Sequence, residues 1–136
     1  MVGDQIMSPR VAIGVGCRLG CEAEAIETLV RQALDRVPNL APIGLFTIAD
    51  KRGDSGLTEA AGRLGLDLSF LPRAALRDQA PFVRTRSSGS ETQFGVPSVA
   101  EAAALAGSGP GAVLLVTRIV QGGATCAIAG PRDAAA

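Results

Sequence analysis

Hydrophobic positions in this chain follow two different spacings, and the switch from one to the other marks its best-defined junction. Val11 to Val15 is a short apolar run rich in β-branched residues, too brief for a helix and closed by Gly14 and Gly16, which predicts a buried strand. Beyond it, Ile26, Leu29, Val30, Ala33, Leu34 and Val37 recur at the three-and-four spacing that lines one face of a helix. Glu22, Glu24, Glu27, Arg31 and Arg36 fall elsewhere around that helix, with the acids in its first turn and bases toward its end, as the helix dipole favours. The turn Gly16-Cys17-Arg18-Leu19-Gly20 is therefore expected at the positive end of a helix, beside a fixed cation, where an anion could sit. The same glycines also suit a tight strand-to-helix turn that binds nothing. Two familiar nucleotide motifs are excluded. Gly14, Gly16 and Gly20 are spaced one residue too widely for the dinucleotide fingerprint, and the Gly-Lys-Ser/Thr ending of a P-loop is absent.

The pattern continues in the same style along the chain. Ile43 to Ala49 reads as a second strand after a loop punctuated by Pro38 and Pro42. Asp50 to Gly56 is a polar turn leading into a short helix from Leu57 to Leu64, and Leu66 to Leu71 alternates as a third strand does. Pro72 ends that strand, and Arg73 to Gln79 makes a short helix. Phe82 to Gly95, crowded with hydroxyls, is expected to be a long irregular loop, the kind of segment that is functional or mobile. Pro97 to Ala106 is an alanine-rich helix, and Ser98-Val99-Ala100-Glu101 has the capping-box pattern, which gives Glu101 a structural role. Ala112 to Val120, a turn at Gly122-Gly123 and Ala124 to Ala129 form a closing hairpin.

These elements predict an α/β fold of three α/β/α layers, with a mixed, largely parallel sheet and a C-terminal β-hairpin. Residues 11–130 are expected to form one domain, between a flexible segment at 1–10 and a frayed tail at 131–136. Ligands of such sheets lie outside the carboxyl ends of the parallel strands, an edge that the turns at Gly16 to Gly20 and Asp50 to Gly56 should share.

Composition narrows the chemistry. The chain has 136 residues, 47% hydrophobic and 19% charged, with no formal net charge, so it is of the ordinary globular type and not a polybasic nucleic-acid binder. The apolar stretch from Ala112 to Val120 is broken by Arg118 and falls far short of a bilayer span, and MVGDQIMSPR lacks the features of a secretory signal, so a cytoplasmic, membrane-free protein is expected. The three cysteines do not make a disulfide framework; Cys17 and Cys21 are spaced C-x-x-x-C, Cys126 reads as a buried small hydrophobe, and no metal site is expected. Histidine is absent, which removes Ser-His-Asp and Cys-His catalysis and imidazole metal sites together. Lys51 is the only lysine among thirteen basic residues. Arginine forms bidentate pairs with carboxylates, but an excess of Ala, Gly and Arg also fits a GC-rich genome, so only clustered arginines are informative.

The order of the motifs carries a resemblance. Gly14-Val15-Gly16-Cys17-Arg18 before the first helix, Lys51 with Gly56-Leu57 after the second strand, Ser90-Glu91 followed by Gly95, Ser98 to Leu105, and the closing strand Ala124 to Ala129 together resemble the family formed by CobE proteins and the C-terminal domain of CbiG, from cobalamin (vitamin B12) biosynthesis. The likeness spans Val11 to Ala129. Cys21 stands where the family places a capping Thr or Ser, and Arg118 where it commonly has lysine.

The resemblance implies a role in corrin-ring assembly, whose intermediates are macrocycles bearing many carboxylates. The ligand contacts it implies are Gly16, Cys17, Arg18, Lys51, Ser88, Ser90 and Glu91, with Arg84 and Arg86 as added carboxylate clamps. No separate cofactor is implied. The family leaves the activity open between a module that binds a precorrin or corrinoid and hands it on, a small hydrolase opening a precorrin lactone with Glu91 or Cys17, and a non-catalytic interaction subunit of a pathway methyltransferase, with other cobalamin-pathway enzymes as partners.

Overall fold

The computed structural model describes residues 9–18 and 20–135, so the expectations for the first eight residues and for Leu19 lie outside the described residues. Five strands form one sheet: β1 (Arg10–Cys17), β2 (Ala41–Ile48), β3 (Leu68–Leu71), β4 (Val113–Gln121) and β5 (Ala124–Gly130), in the order β3-β2-β1-β5-β4. β1 runs parallel to β2, and β2 to β3, with Ile13 opposite Leu45 and Leu45 opposite Leu68. β5 is antiparallel to both β1 and β4, with Val15 opposite Cys126 and Val120 opposite Thr125. The sheet is thus mixed, parallel on one side and antiparallel on the other, as the sequence predicts.

Helices cover both faces. On one, α1 (Ala23–Asp35) and α2 (Ser55–Leu64) bury Ile26, Leu29, Val30, Leu57 and Ala60 against Val11, Ile13, Val15, Leu45 and Ile128. On the other lie α3 (Arg73–Arg77), α4 (Ser88–Phe94) and α5 (Val99–Ser108). Period-two alternation sends successive strand residues to opposite layers, so Ala127 and Ala129 meet Ala100, Ala104 and Leu105 of α5 while Cys126 and Ile128 join the first core.

The alanines and glycines of the second layer set its thickness. A Cβ on Gly14 would stand 1.9 Å from the carbonyl oxygen of Ala100, so α5 lies against β1 at a distance that only glycine permits. At the hairpin, Gly122 and Gly123 have φ of 59° and 83°, the pair of left-handed residues that a tight two-residue turn requires.

The structure corrects several local expectations. Phe82 to Gly95 is not one irregular loop: a 3₁₀ turn covers Ala80–Phe82, and α4 occupies Ser88–Phe94. Ser87 caps α4 by accepting from the Ser90 N–H, and Gly95, at φ 71°, ends it. Only Phe94 of this helix is buried, so its run of polar residues shows no apolar periodicity to read. The second helix starts at Ser55 because Asp54 caps it through the Leu57 N–H. The third strand starts at Leu68, because the Leu66 N–H closes α2 by donating to Ala61 O, with Gly65 left-handed at φ 69°. Arg132–Ala135 forms a 3₁₀ turn. Among the described residues, no helix is long and apolar enough to cross a membrane.

Candidate functional site

The carboxyl ends of β1 and β2, the β4–β5 turn, α4 and the start of α5 enclose a cavity of about 590 Å³, within the range typical of small-molecule sites. Its lining takes Gly16, Cys17 and Arg18 from β1 and the turn after it, Lys51 from the 3₁₀ turn after β2, and Ser87, Ser90 and Phe94 from around α4. Ser98 and Val99 come from the α5 cap, and Arg118, Val120, Gly123 and Thr125 from the hairpin.

Backbone pairing fixes most of these groups. The Arg18 N–H donates to Gly123 O at 3.0 Å, joining the first turn to the hairpin turn. Gly123 leaves room for the Arg18 side chain, whose Cδ would lie 3.4 Å from a Cβ placed there. A Cβ on Gly16 would come within 2.6 Å of Thr125 Oγ1, so the absence of a side chain at Gly16 lets that hydroxyl approach the backbone. On the opposite wall, the Ser87 N–H donates to Pro97 O at 2.7 Å, and Arg77 donates through Nη2 to Phe94 O at 3.3 Å, which together tie both ends of α4 to the body.

Behind this wall lies Glu101, fully buried. Its carboxylate accepts from the N–H groups of Arg84 at 2.7 Å, Thr85 at 2.9 Å and Arg118 at 2.8 Å, and from the Thr85 hydroxyl at 2.7 Å. The capping-box expectation is half met. Ser98 Oγ accepts from the Glu101 N–H at 3.2 Å, but the Glu101 side chain turns away from the cap and links α5, the Arg84–Thr85 segment and β4. Burial acts strongly against the charged form, yet the donors from Arg118, Thr85 and Arg84 outweigh it and hold the carboxyl below its usual range.

The charged side chains lining the cavity are all cations: Arg18, Lys51 and Arg118. The hydroxyls of Ser87, Ser90, Ser98 and Thr125 and the amide of Gln93 add neutral polarity, while Phe94, Val99 and Val120 give an apolar wall, with Val120 60% exposed. Such a surface suits an anion with a hydrocarbon body.

The structure therefore brings together Gly16, Cys17, Arg18, Lys51 and Ser90 of the sequence-derived set. Ser88, Arg84, Arg86 and Glu91 lie outside the lining; Ser88, Arg84 and Arg86 are exposed, and Arg86 pairs with Glu91 at 2.5 Å. The positive end of α1 is also separate from the Gly16–Arg18 turn, because β1 continues to Cys17 and the helix starts only at Ala23. That helix end faces a second cleft, of about 640 Å³, shared with the start of α2 and carrying Glu22, Glu24, Asp54 and Glu59.

Cys17 stands between the two clefts and donates its S–H to Asp54 Oδ2 at 3.6 Å. Burial first, and then the Asp54 carboxylate, push this thiol up to about 12, with Lys51 opposing in part. It is a neutral thiol at neutral pH, unsuited to nucleophilic attack. Cys21 donates to Gly122 O at 3.4 Å and Cys126 is buried, so the three cysteines are free thiols with structural surroundings.

Gln93, Ser98, Arg118, Gly123 and Thr125 are site residues that the sequence reading did not single out. In the sequence Arg118 stands out as the break in an apolar stretch and as an exchange for lysine; its place in an amphipathic strand that ends at the predicted ligand edge is the available signal.

Comparison with known proteins places this geometry in a family. Residues 11–129 match the family described as cobalamin synthesis G C-terminus. The chain is 34% identical over 124 residues to Protein CobE of Sinorhizobium sp, an alignment covering 89% of this chain and 80% of that protein. The crystal structure of a CobE, described as a protein from the cobalamin (vitamin B12) biosynthetic pathway, superposes with a TM-score of 0.81 at 34% identity over 90% of each chain. The cobalamin biosynthesis protein chiG from Agrobacterium tumefaciens str. C58 superposes with a TM-score of 0.70 at 34% identity, over 90% of this chain and 99% of that one. The resemblance read from the motifs is borne out, and the chain belongs to the CobE and CbiG C-terminal family of cobalamin biosynthesis proteins.

Proposed function

We propose that this protein binds a polycarboxylate precorrin or corrinoid intermediate in the 590 Å³ cavity and holds it without changing it covalently. The observation that carries this reading is the charge pattern: Arg18, Lys51 and Arg118 line the cavity, and among the described residues no carboxylate does. Guanidinium and ammonium groups recognise carboxylates through charge-assisted hydrogen bonds. The Val99, Val120 and Phe94 surface would take the hydrocarbon face of a macrocycle.

The two groups considered for hydrolysis support binding over reaction. Cys17 is held as a neutral thiol against Asp54, and Glu91 lies outside the cavity in an ion pair with Arg86. Cys17 lines the cavity but as a thiol that keeps its proton, and Glu91 lies outside the lining, so neither offers a base to a ligand there.

The test is a titration with a metal-free corrinoid polycarboxylic acid, followed by visible absorbance and by co-elution in gel filtration. The chain has no Trp or Tyr, so the pigment dominates the ultraviolet elution trace as well as the visible one. Stoichiometric binding, with the pigment recovered at unchanged mass, is expected. Failure to retain any such acid, or recovery of a hydrolysed pigment, overturns the proposal.

A further inference from the structure

Two polar atoms that belong to cavity-lining residues have no hydrogen-bond partner. Ser90 Oγ and Arg118 Nε are both shielded from water, and neither makes a hydrogen bond. Leaving a buried polar group unpaired forfeits its hydration with nothing in return, so native structures keep few such groups and each calls for an explanation. These two belong to different elements, α4 and β4, yet line the same cavity.

Poor local construction does not account for them. The Arg118 N–H is fixed by Glu101 Oε2 at 2.8 Å, and Glu101 is itself saturated by Arg84 and Thr85. The Ser90 N–H is taken by Ser87 Oγ at 3.4 Å, and the Ser87 backbone is pinned to Pro97. Both backbones are anchored while both side-chain heads keep unused donor capacity. A guanidinium Nε–H can only donate, and a serine hydroxyl can donate as well. The group that complements two donors next to a positive charge is an ionised carboxylate, which accepts at both oxygens.

We infer that Arg118 and Ser90 turn their unused donors, Nε and Oγ, toward the cavity when the ligand binds and together seat one of its carboxylates, which links α4 to β4. This inference rests on the proposed binding of a polycarboxylate corrinoid and adds that the cavity selects free acids over carboxamides. An amide carries no charge, so its carbonyl would give Arg118 a neutral hydrogen bond in place of a charge-assisted one.

The experiment follows the Arg118 Nε–H resonance in ¹⁵N-labelled protein, assigned by its loss in Arg118→Lys. The probes are benzenehexacarboxylate, a metal-free corrinoid polyacid, and the corrinoid in which the carboxylates are converted to amides. Both acids should shift the resonance and the amide should not. Arg118→Lys and Ser90→Ala should each weaken corrinoid-acid binding about tenfold, the loss of one charge-assisted hydrogen bond. Their combination should be less than additive, because the two donors share one carboxylate. A resonance that stays still while the corrinoid acid binds, or variants that bind it at full strength, overturns the seat and leaves the proposed function standing. A resonance that moves with benzenehexacarboxylate in a protein that binds no corrinoid supports the seat and removes the corrinoid reading. If the resonance responds to no acid, or responds equally to acid and amide, the seat is overturned.

Discussion

Glu101 Oε1 and the Arg84 backbone N–H lie 2.7 Å apart in a region closed to solvent, and the same carboxyl group carries Thr85 and Arg118 as well. One buried side chain thus joins three segments, of which α5 and β4 line the cavity. Each donor is a group that would otherwise lie unpaired in the interior.

Glu101→Gln should therefore destabilise the fold by about 3 kcal/mol, because the substituted NH₂ turns toward N–H donors and leaves them unsatisfied. The wild type should also lose stability in acid. A carboxyl whose pKa is lower folded than unfolded stabilises the fold above its unfolded value, and that contribution disappears as pH falls through the folded one. Urea unfolding as a function of pH checks both: below the usual carboxylate range the stability of the wild type should decline, and Glu101→Gln should show a flatter acid limb.

At alkaline pH the thiols dominate. Burial raises both Cys17 and Cys126 to about 12. The sign follows from proton release: above pH 9, the ordinary thiol value, the unfolded chain loses these protons while the folded one keeps them. Stability should fall from pH 9 toward 12, and Cys126→Ala should reduce the slope. In native protein at pH 8, Cys17 and Cys126 should resist a disulfide reagent that labels all three thiols in denaturant.

Gly14→Ala tests the contact between β1 and α5. The added methyl would meet the Ala100 carbonyl oxygen at 1.9 Å and the Ala104 nitrogen at 2.5 Å, both backbone atoms that cannot rotate aside. A loss of about 3 kcal/mol is expected, at the upper end for overpacking. A variant as stable as the wild type in urea would show that the two layers can separate without cost.

Position relative to the cavity should sort the cations. Arg18→Ala and Lys51→Ala should each weaken corrinoid-acid binding about tenfold, with a further loss as salt is raised for the wild type. Arg86→Ala, in an exposed ion pair with Glu91, should leave binding within about twofold, since exposed pairs contribute little. Equilibrium titration of the three variants separates the lining from its surroundings.

The strands and the long amphipathic helix were legible because burial imposes a period, as in Val11 to Val15 and in Ile26, Leu29, Val30 and Ala33. The hairpin was legible from Gly122-Gly123, whose left-handed backbone leaves few alternatives. α4 was not, because a helix that buries only Phe94 carries no period. Half of the site was visible as the glycine turn, Lys51 and Ser90. The other half comes from Arg118, Gly123 and Thr125, which reach the first turn only because β5 inserts beside β1, and that pairing leaves no local mark in the sequence. Glu101 shows a different limit: S-x-x-E describes a cap correctly at Ser98 and says nothing of a carboxylate that leaves the cap to bind other segments.

The central position of β5 also has a consequence for synthesis. β1 has a free edge until residues 124–130 leave the ribosome, although β1, β2 and β3 and the helices between them have long since been made. The nascent chain must therefore keep an unpaired, apolar strand edge out of contact with others until the hairpin has been made. A chain stopped before the hairpin would lack Gly123 and Thr125 and would leave that edge open, so the cavity and the protection against edge-to-edge association arrive together.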